Sequence, residues 1–127
     1  MRLLLDTHVW LWWLNDDRRL GRRARQVLGN PRTEVYVSAA SAWELAIKAA
    51  LGKLRLGKAD LEAEISANGF LELPIRTRHA LQAGRLAPVH QDPFDRMLVA
   101  QAQAEELAVV TGDPIFERYG VAVLEAS

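Results

Sequence analysis

Four carboxylates in this chain sit where a phosphoryl-transfer site needs them: Asp6, Glu44, Asp95 and Asp113. Asp6 ends the apolar run Leu3–Leu4–Leu5, and Asp113 follows Val109–Val110–Thr111–Gly112. Glu44 and Asp95 each open a helical pattern. Several carboxylates brought within a few ångström repel one another and raise each other's pKa. A divalent cation removes that conflict. The sequence has no cysteine, so a metal site must use carboxylates, histidines, hydroxyls or carbonyls, and the hard oxygen ligands of these acids suit Mg²⁺ or Mn²⁺ rather than a structural Zn²⁺. A cation held this way can clamp a phosphodiester oxygen and acidify a water.

The elements around these acids explain why they should meet. Short apolar runs alternate with helical patterns, the signature of an α/β fold with a parallel sheet and helices on both faces. Strands are expected at Leu3–Leu5, Val35–Val37, Phe70–Leu73, Ala108–Val110 and Val121–Leu124. Helices are expected from about Thr7 to Leu14, Leu20 to Leu28, Ser41 to Leu51, Ala59 to Ala67, Thr77 to Leu81 and Pro93 to Leu107, with a turn or two of helix from Pro114 to Tyr119. Gly52 and Asn68–Gly69 read as helix stops. Helices run opposite to their strands, so helix starts and strand ends share one edge, where parallel sheets place their ligands. All four acids are expected there.

Each acid also has a purely structural reading. Ser41–Ala42–Trp43–Glu44 fits a capping box. Asp92–Pro93–Phe94–Asp95 fits an N-cap followed by proline and an acid at the third helical position. Asp113–Pro114 fits another N-cap. Asp6 can cap the helix beginning near Thr7, although an aspartate ending a central apolar strand is otherwise disfavoured.

The 127 residues are enough for one domain with its own core, and residues 1–127 are read as a single unit. Sixteen basic and sixteen acidic residues cancel, which argues against binding nucleic acid by bulk attraction but leaves local patches open. Met1 to Leu5 is too short for a signal-peptide core, and no run of about 20 apolar residues exists to cross a bilayer. The chain is read as cytoplasmic and without a membrane partner.

Four stretches together resemble the PIN-domain family, specifically the VapC-like toxins of VapBC-type toxin–antitoxin pairs: Leu4-Leu5-Asp6-Thr7-His8-Val9-Trp10, Ser38 to Lys48 (SAASAWELAIK), His90 to Ala100 (HQDPFDRMLVA) and Thr111-Gly112-Asp113. Their order and spacing match from Leu3 to Leu124. The resemblance implies a three-layer α/β/α sandwich around a parallel sheet. It also implies a Mg²⁺- or Mn²⁺-dependent endoribonuclease that leaves 5′-phosphate and 3′-hydroxyl ends, a VapB-like antitoxin as partner, and a homodimer. Asp6, Glu44 and Asp95 would be the core acids, with Asp113 completing the set. Thr111 would sit beside the site and hydrogen-bond Asp6 or a metal water, with Thr7 and Asp92 in support.

Lys48, Lys53 and Arg96, close to the acids in sequence, are expected to contact RNA. Arg18, Arg19, Arg22, Arg23 and Arg25 make a basic stretch that either touches phosphate or is a solvated helix face beside Asp16 and Asp17. His8 faces either the same cleft as Asp6 or the opposite side. His90 is expected in a supporting loop and His79 on a helix surface. Trp10 and Trp43 are expected in the core. The adjacent Trp12 and Trp13 cannot share one helix face.

Two other functional classes fit less well. A haloacid-dehalogenase-like phosphatase carries a second aspartate two residues after the first, where this chain has His8. A phosphoacceptor receiver needs an aspartate ending its middle strand, where this chain has Leu73–Pro74. A PIN-like scaffold that binds without cutting remains a further alternative.

Overall fold

The computed structural model describes all residues, Met1–Ser127. Five strands, β1 (Arg2–Leu5), β2 (Glu34–Ser38), β3 (Leu71–Leu73), β4 (Ala108–Thr111) and β5 (Val123–Glu125), form one sheet in the order β3-β2-β1-β4-β5. Every pairing is parallel. β1 is central, and Leu3, Leu4 and Leu5 are all fully buried. A strand covered on both faces by helices reads as an unbroken apolar run rather than an alternating one.

The helices are α1 (Thr7–Leu14), α2 (Arg22–Gly29), α3 (Ala39–Ala50), α4 (Leu61–Ala67), α5 (Thr77–Arg85) and α6 (Pro93–Glu105), followed by a single 3-10 turn at Glu117–Tyr119. Alternate residues of the strands face two separate cores. Leu3, Leu5, Val35, Val37 and Val110 pack with Val9 and Trp10 of α1, Ala24 and Leu28 of α2, Leu45 of α3 and Ile65 of α4. Leu4, Leu73 and Val109 pack on the other side with Leu98, Val99 and Ala102 of α6. Helices therefore cover both faces of the sheet, giving the α/β/α sandwich. No helix is long and apolar enough to cross a membrane.

Two element boundaries differ from the sequence-based expectation in ways that matter for the site. α3 begins at Ala39, with Ser38 as its cap: the Ser38 hydroxyl accepts from the Ala40 N–H and donates to Gln101 Oε1 at 2.5 Å. Ser41 is therefore not an N-cap, and Glu44 lies in the second turn. The strand passes into the helix with no intervening loop, so the strand's last residue takes the capping role. α5 runs a full turn beyond Leu81, to Arg85.

Candidate active site

Asp6 leaves β1 at the carboxyl edge and is only 3 % exposed. Its main-chain N–H donates to Val110 O on β4. Its side chain caps α1, accepting weakly from the His8 N–H at 3.4 Å. The other carboxylate oxygen accepts a 2.7 Å hydrogen bond from the Thr111 hydroxyl at the end of β4. That same hydroxyl accepts from the Asp113 N–H at 2.9 Å. Asp113 is exposed, and its Oδ1 accepts from the Ile115 N–H. It caps a turn that leads to the short 3-10 segment, rather than an α-helix.

Glu44 is 7 % exposed and pairs with Lys48 one helical turn on, Oε2 to Nζ 2.9 Å. Ser41, freed from capping, accepts from the Thr7 hydroxyl at 2.8 Å, and both residues are buried. Thr7 thus ties the start of α1 to the start of α3, and so sets Asp6 relative to Glu44.

Asp95 lies in the first turn of α6. Asp92 caps that helix, accepting from the Phe94 N–H at 2.8 Å and the Asp95 N–H at 3.3 Å. Asp95 Oδ2 lies 2.8 Å from His90 Nε2. Burial pushes the Asp95 carboxyl up to about 6; His90 opposes the shift, and the charges of Asp92 and Asp6 reinforce it. The field of Asp6 therefore reaches Asp95 across the edge. His8 shows the same convergence: the Asp6 carboxylate, 3.8 Å from its Nδ1, holds it above the usual histidine range, with Glu44 adding and Lys48 opposing.

The acids share one edge and one electrostatic field, but they are not equally close. The tightest group of potential ligands is His90, Asp92 and Asp95, with donor atoms within 4.8 Å of one another, and no three of the four expected acids are gathered that tightly. The donor set still suits a hard divalent cation. Asp6 and Asp95 are carboxylates held against burial with no lysine or arginine partner. Mg²⁺ keeps several of its waters, so some acids can be reached through the water shell rather than directly.

Several other residues take different roles from those expected. Arg96 is not a free cation. Its guanidinium donates to the main-chain carbonyls of Ala83, Leu86, Ala87 and His90, which pins the segment leading to Asp92. Lys48 is engaged by Glu44, whereas Lys53 is exposed. His79 is fully buried rather than on the surface: Nδ1 accepts from the Arg76 N–H and Nε2 lies 2.9 Å from Glu105 Oε2. Trp43 is 61 % exposed, edge-on to Phe94 at 5.4 Å, while Trp10 is in the core.

Within the basic stretch, Arg19 pairs with Asp17 and Arg25 with Asp16, whereas Arg18, Arg22 and Arg23 are exposed. His90, expected in a loop or in support of the site rather than as a ligand, lies five residues before Asp95 and contacts its carboxylate directly. A larger cavity of about 530 Å³ lies at the opposite, amino edge of the sheet, between Arg2, Ala108 and Val121, away from every acid described.

The sequence matches the family model described as PIN domain over residues 3–122. A search of curated proteins finds no match. Among solved structures, VapBC2 from Rickettsia felis bound to a DNA fragment from their promoter is similar with a TM-score of 0.73 at 15% identity, over 98% of each chain. FitAcB from Neisseria gonorrhoeae is similar with a TM-score of 0.68 at 23% identity, over 98% of this chain and 97% of that one. A toxin–antitoxin complex from Klebsiella pneumoniae gives 0.65 at 18% identity, over 98% of both. At these identities the likeness is one of fold.

Proposed function

Because the chain belongs to the PIN-domain family, we propose that it is a Mg²⁺- or Mn²⁺-dependent endoribonuclease, a single nuclease domain acting as the toxin of a VapBC-type pair. The observation that carries this reading is the convergence of the buried Asp6 and the partly buried Asp95, from separate elements, at one sheet edge and within reach of each other's charge. Carboxylates drawn out of water with no lysine or arginine partner are costly to keep ionised, and a cation-binding role gives the chain a reason to keep them.

A divalent cation at this edge supplies positive charge that polarises a phosphodiester and acidifies a water. The protein's own contribution is to fix its ligands. Asp6, Glu44 and Asp95 are the proposed metal-holding acids, with Asp113 as a fourth reaching in from the exposed side. Thr111 fixes the Asp6 carboxylate, Thr7 fixes α1 to α3, and Asp92 fixes the start of α6. His90 holds Asp95 in orientation. Lys48 balances Glu44 and stands beside the path of a phosphate, and Lys53 extends that positive surface. Cleavage with water as nucleophile leaves 5′-phosphate and 3′-hydroxyl ends.

The solved relatives named VapBC2 and FitAcB, and the Klebsiella pneumoniae complex, support a small VapB-like antitoxin as partner. A homodimer acting in the cytoplasm completes the proposal.

Incubating the purified chain with structured RNA tests the enzymatic claim. New 5′-phosphate ends should appear with Mg²⁺ or Mn²⁺, vanish with EDTA, and be absent for Asp6→Asn. Cleavage that survives both EDTA and Asp6→Asn overturns the metal assignment, and RNA left intact under all conditions favours a PIN-like scaffold that binds without cutting.

A further inference from the structure

Ser38, His79 and Gln101 are fully buried polar side chains that touch none of the four acids at the sheet edge. They form one hydrogen-bonded network around the Gln101 amide. Its Oε1 accepts from the Ser38 hydroxyl at 2.5 Å, and its Nε2 donates to Pro74 O, just past β3, at 3.2 Å. The same nitrogen lies 3.4 Å from Nδ1 of His79 on α5, whose Nε2 lies 2.9 Å from Glu105 Oε2. Trp10 Nε1 is the one buried side-chain polar atom without a partner, so the network is complete.

We propose that Gln101 is a positioning residue for the metal centre: through this network it sets where α6 holds Asp95 relative to Glu44 on α3. The inference rests on the metal-dependent reading of the acidic edge and adds the device that fixes the spacing of its ligands. Gln101 and Glu105 are one turn apart on the same face of α6. His79 stands between them, one ring nitrogen towards each. α6 cannot slide along its axis without losing one of these contacts. The Ser38 bond carries that reference to α3, because the same hydroxyl caps α3 by accepting from the Ala40 N–H. Glu44 lies less than about two turns along α3 from Ser38, and Asp95 less than about two turns along α6 from Gln101.

Stability is a weaker reason for the network. Replacing both partners of a buried hydrogen bond by apolar groups of the same shape can be nearly neutral. Leu98 and Ala102, which flank Gln101 on α6, pack in the apolar core, and such contacts are non-directional. They hold α6 on the sheet without fixing its register. Hydrogen bonds are directional and do fix it. A hard cation such as Mg²⁺ demands near-ideal geometry, so a small shift of one ligand costs affinity. Being fully buried, Gln101 touches neither cation nor substrate and acts only through the elements it ties together.

The test reads Mn²⁺ alone, by calorimetric titration of the full chain at a temperature where every variant is folded. Gln101→Met keeps the length of the side chain and removes the amide. It should weaken Mn²⁺ binding roughly tenfold, the lower end of what partners of metal ligands contribute. Val99→Ala opens a cavity under the same helix and should lower Tm without moving Mn²⁺ affinity. Ser38→Ala should weaken binding by a similar factor, and Ser38→Thr, which keeps the hydroxyl, should restore most of it. Ser38→Ala combined with Gln101→Met should bind little worse than Gln101→Met alone, because both break one link. If Gln101→Met binds Mn²⁺ as the unsubstituted chain does, or Val99→Ala loses as much as Gln101→Met, the positioning role is overturned and the metal site stands. Where Gln101→Met does not fold, equal binding by Ser38→Ala and Ser38→Thr overturns it instead. If the unsubstituted chain binds no Mn²⁺, the metal reading and this inference fall together.

Discussion

The Thr111 hydroxyl donates to Asp6 Oδ2 at 2.7 Å across the β1–β4 pair, and the same oxygen accepts the Asp113 N–H at 2.9 Å. One side chain at a strand end thus orients a buried carboxylate and fixes the turn that carries an exposed one. Replacing Thr111 with valine keeps the shape and removes both hydrogen bonds. Asp6 then keeps a buried oxygen without its donor, which costs about 1–3 kcal/mol. We expect the metal-free Tm of Thr111→Val to fall by several degrees and Mn²⁺ affinity to drop, as read by thermal denaturation and calorimetric titration. Unchanged values in both would show that Thr111 does not organise the edge.

Asp95 gives a prediction whose sign is set by its raised pKa. Its carboxyl titrates near 6 in the folded chain, against about 3.9 when unfolded. The folded state binds that proton more tightly. Ionised Asp95 therefore destabilises the metal-free fold above about pH 6, and this cost disappears as the pH falls through 6 towards 4. Asp95→Asn removes the charge and keeps an oxygen for His90. At pH 7.5 the metal-free variant should melt a few degrees above the unsubstituted chain, and at pH 4.5 the gap should close. The stabilising effect of added Mg²⁺ on the unsubstituted chain should weaken as the pH drops below 6, because proton and cation compete for the same carboxylate. An Asp95→Asn variant that melts lower at pH 7.5 contradicts this account.

Much of the arrangement was readable in advance, and the failures share a physical cause. Leu3–Leu4–Leu5 and Val109–Val110 mark strands buried on both faces, and their alternation with helical patterns points to parallel β/α layering. The start of α3 was not readable, because Ser38 and Ser41 are both competent caps in the run Ser38-Ala39-Ala40-Ser41. Tertiary contacts decide between them: Gln101, from 63 residues away, takes Ser38, and Thr7 takes Ser41. The resulting phase buries Ala40, Ser41, Glu44 and Leu45 and turns Trp43 outward. His79 is the parallel case. Its burial depends on Glu105, on a different helix, which no local pattern reveals. The Glu105 carboxylate is in turn held below the usual range, first by His79 and then by Arg78.

Arg96 was expected to meet RNA and instead gathers four main-chain carbonyls from residues 83 to 90. Lysine cannot reproduce a planar fork that serves several acceptors at once. Arg96→Lys should therefore lower Tm by several degrees and expose the 86–92 segment to proteolysis. The salt dependence of RNA binding should be unchanged, since no phosphate contact has been removed. A flatter salt dependence with an unchanged Tm would restore the RNA-contact role.

Lys48 separates two functions that its position could serve. It neutralises Glu44, which is 7 % exposed, through a 2.9 Å ion pair. Lys48→Met leaves that carboxylate buried without its counter-charge, a change that typically costs a few kcal/mol when one partner of a buried pair is removed (~3–5 kcal/mol at full burial). Lys48 is itself partly exposed, so the loss should fall below that range. A divalent cation at the acidic edge can take over the neutralising role, so added Mg²⁺ should raise the Tm of Lys48→Met by more than it raises that of the unsubstituted chain. Binding to the folded and not the unfolded state stabilises by RT ln(1 + c/Kd), where c is the free ligand concentration, so the comparison is made at the same free Mg²⁺ concentration. If Mg²⁺ raises both melting temperatures equally, the charge on Lys48 is not linked to the cation.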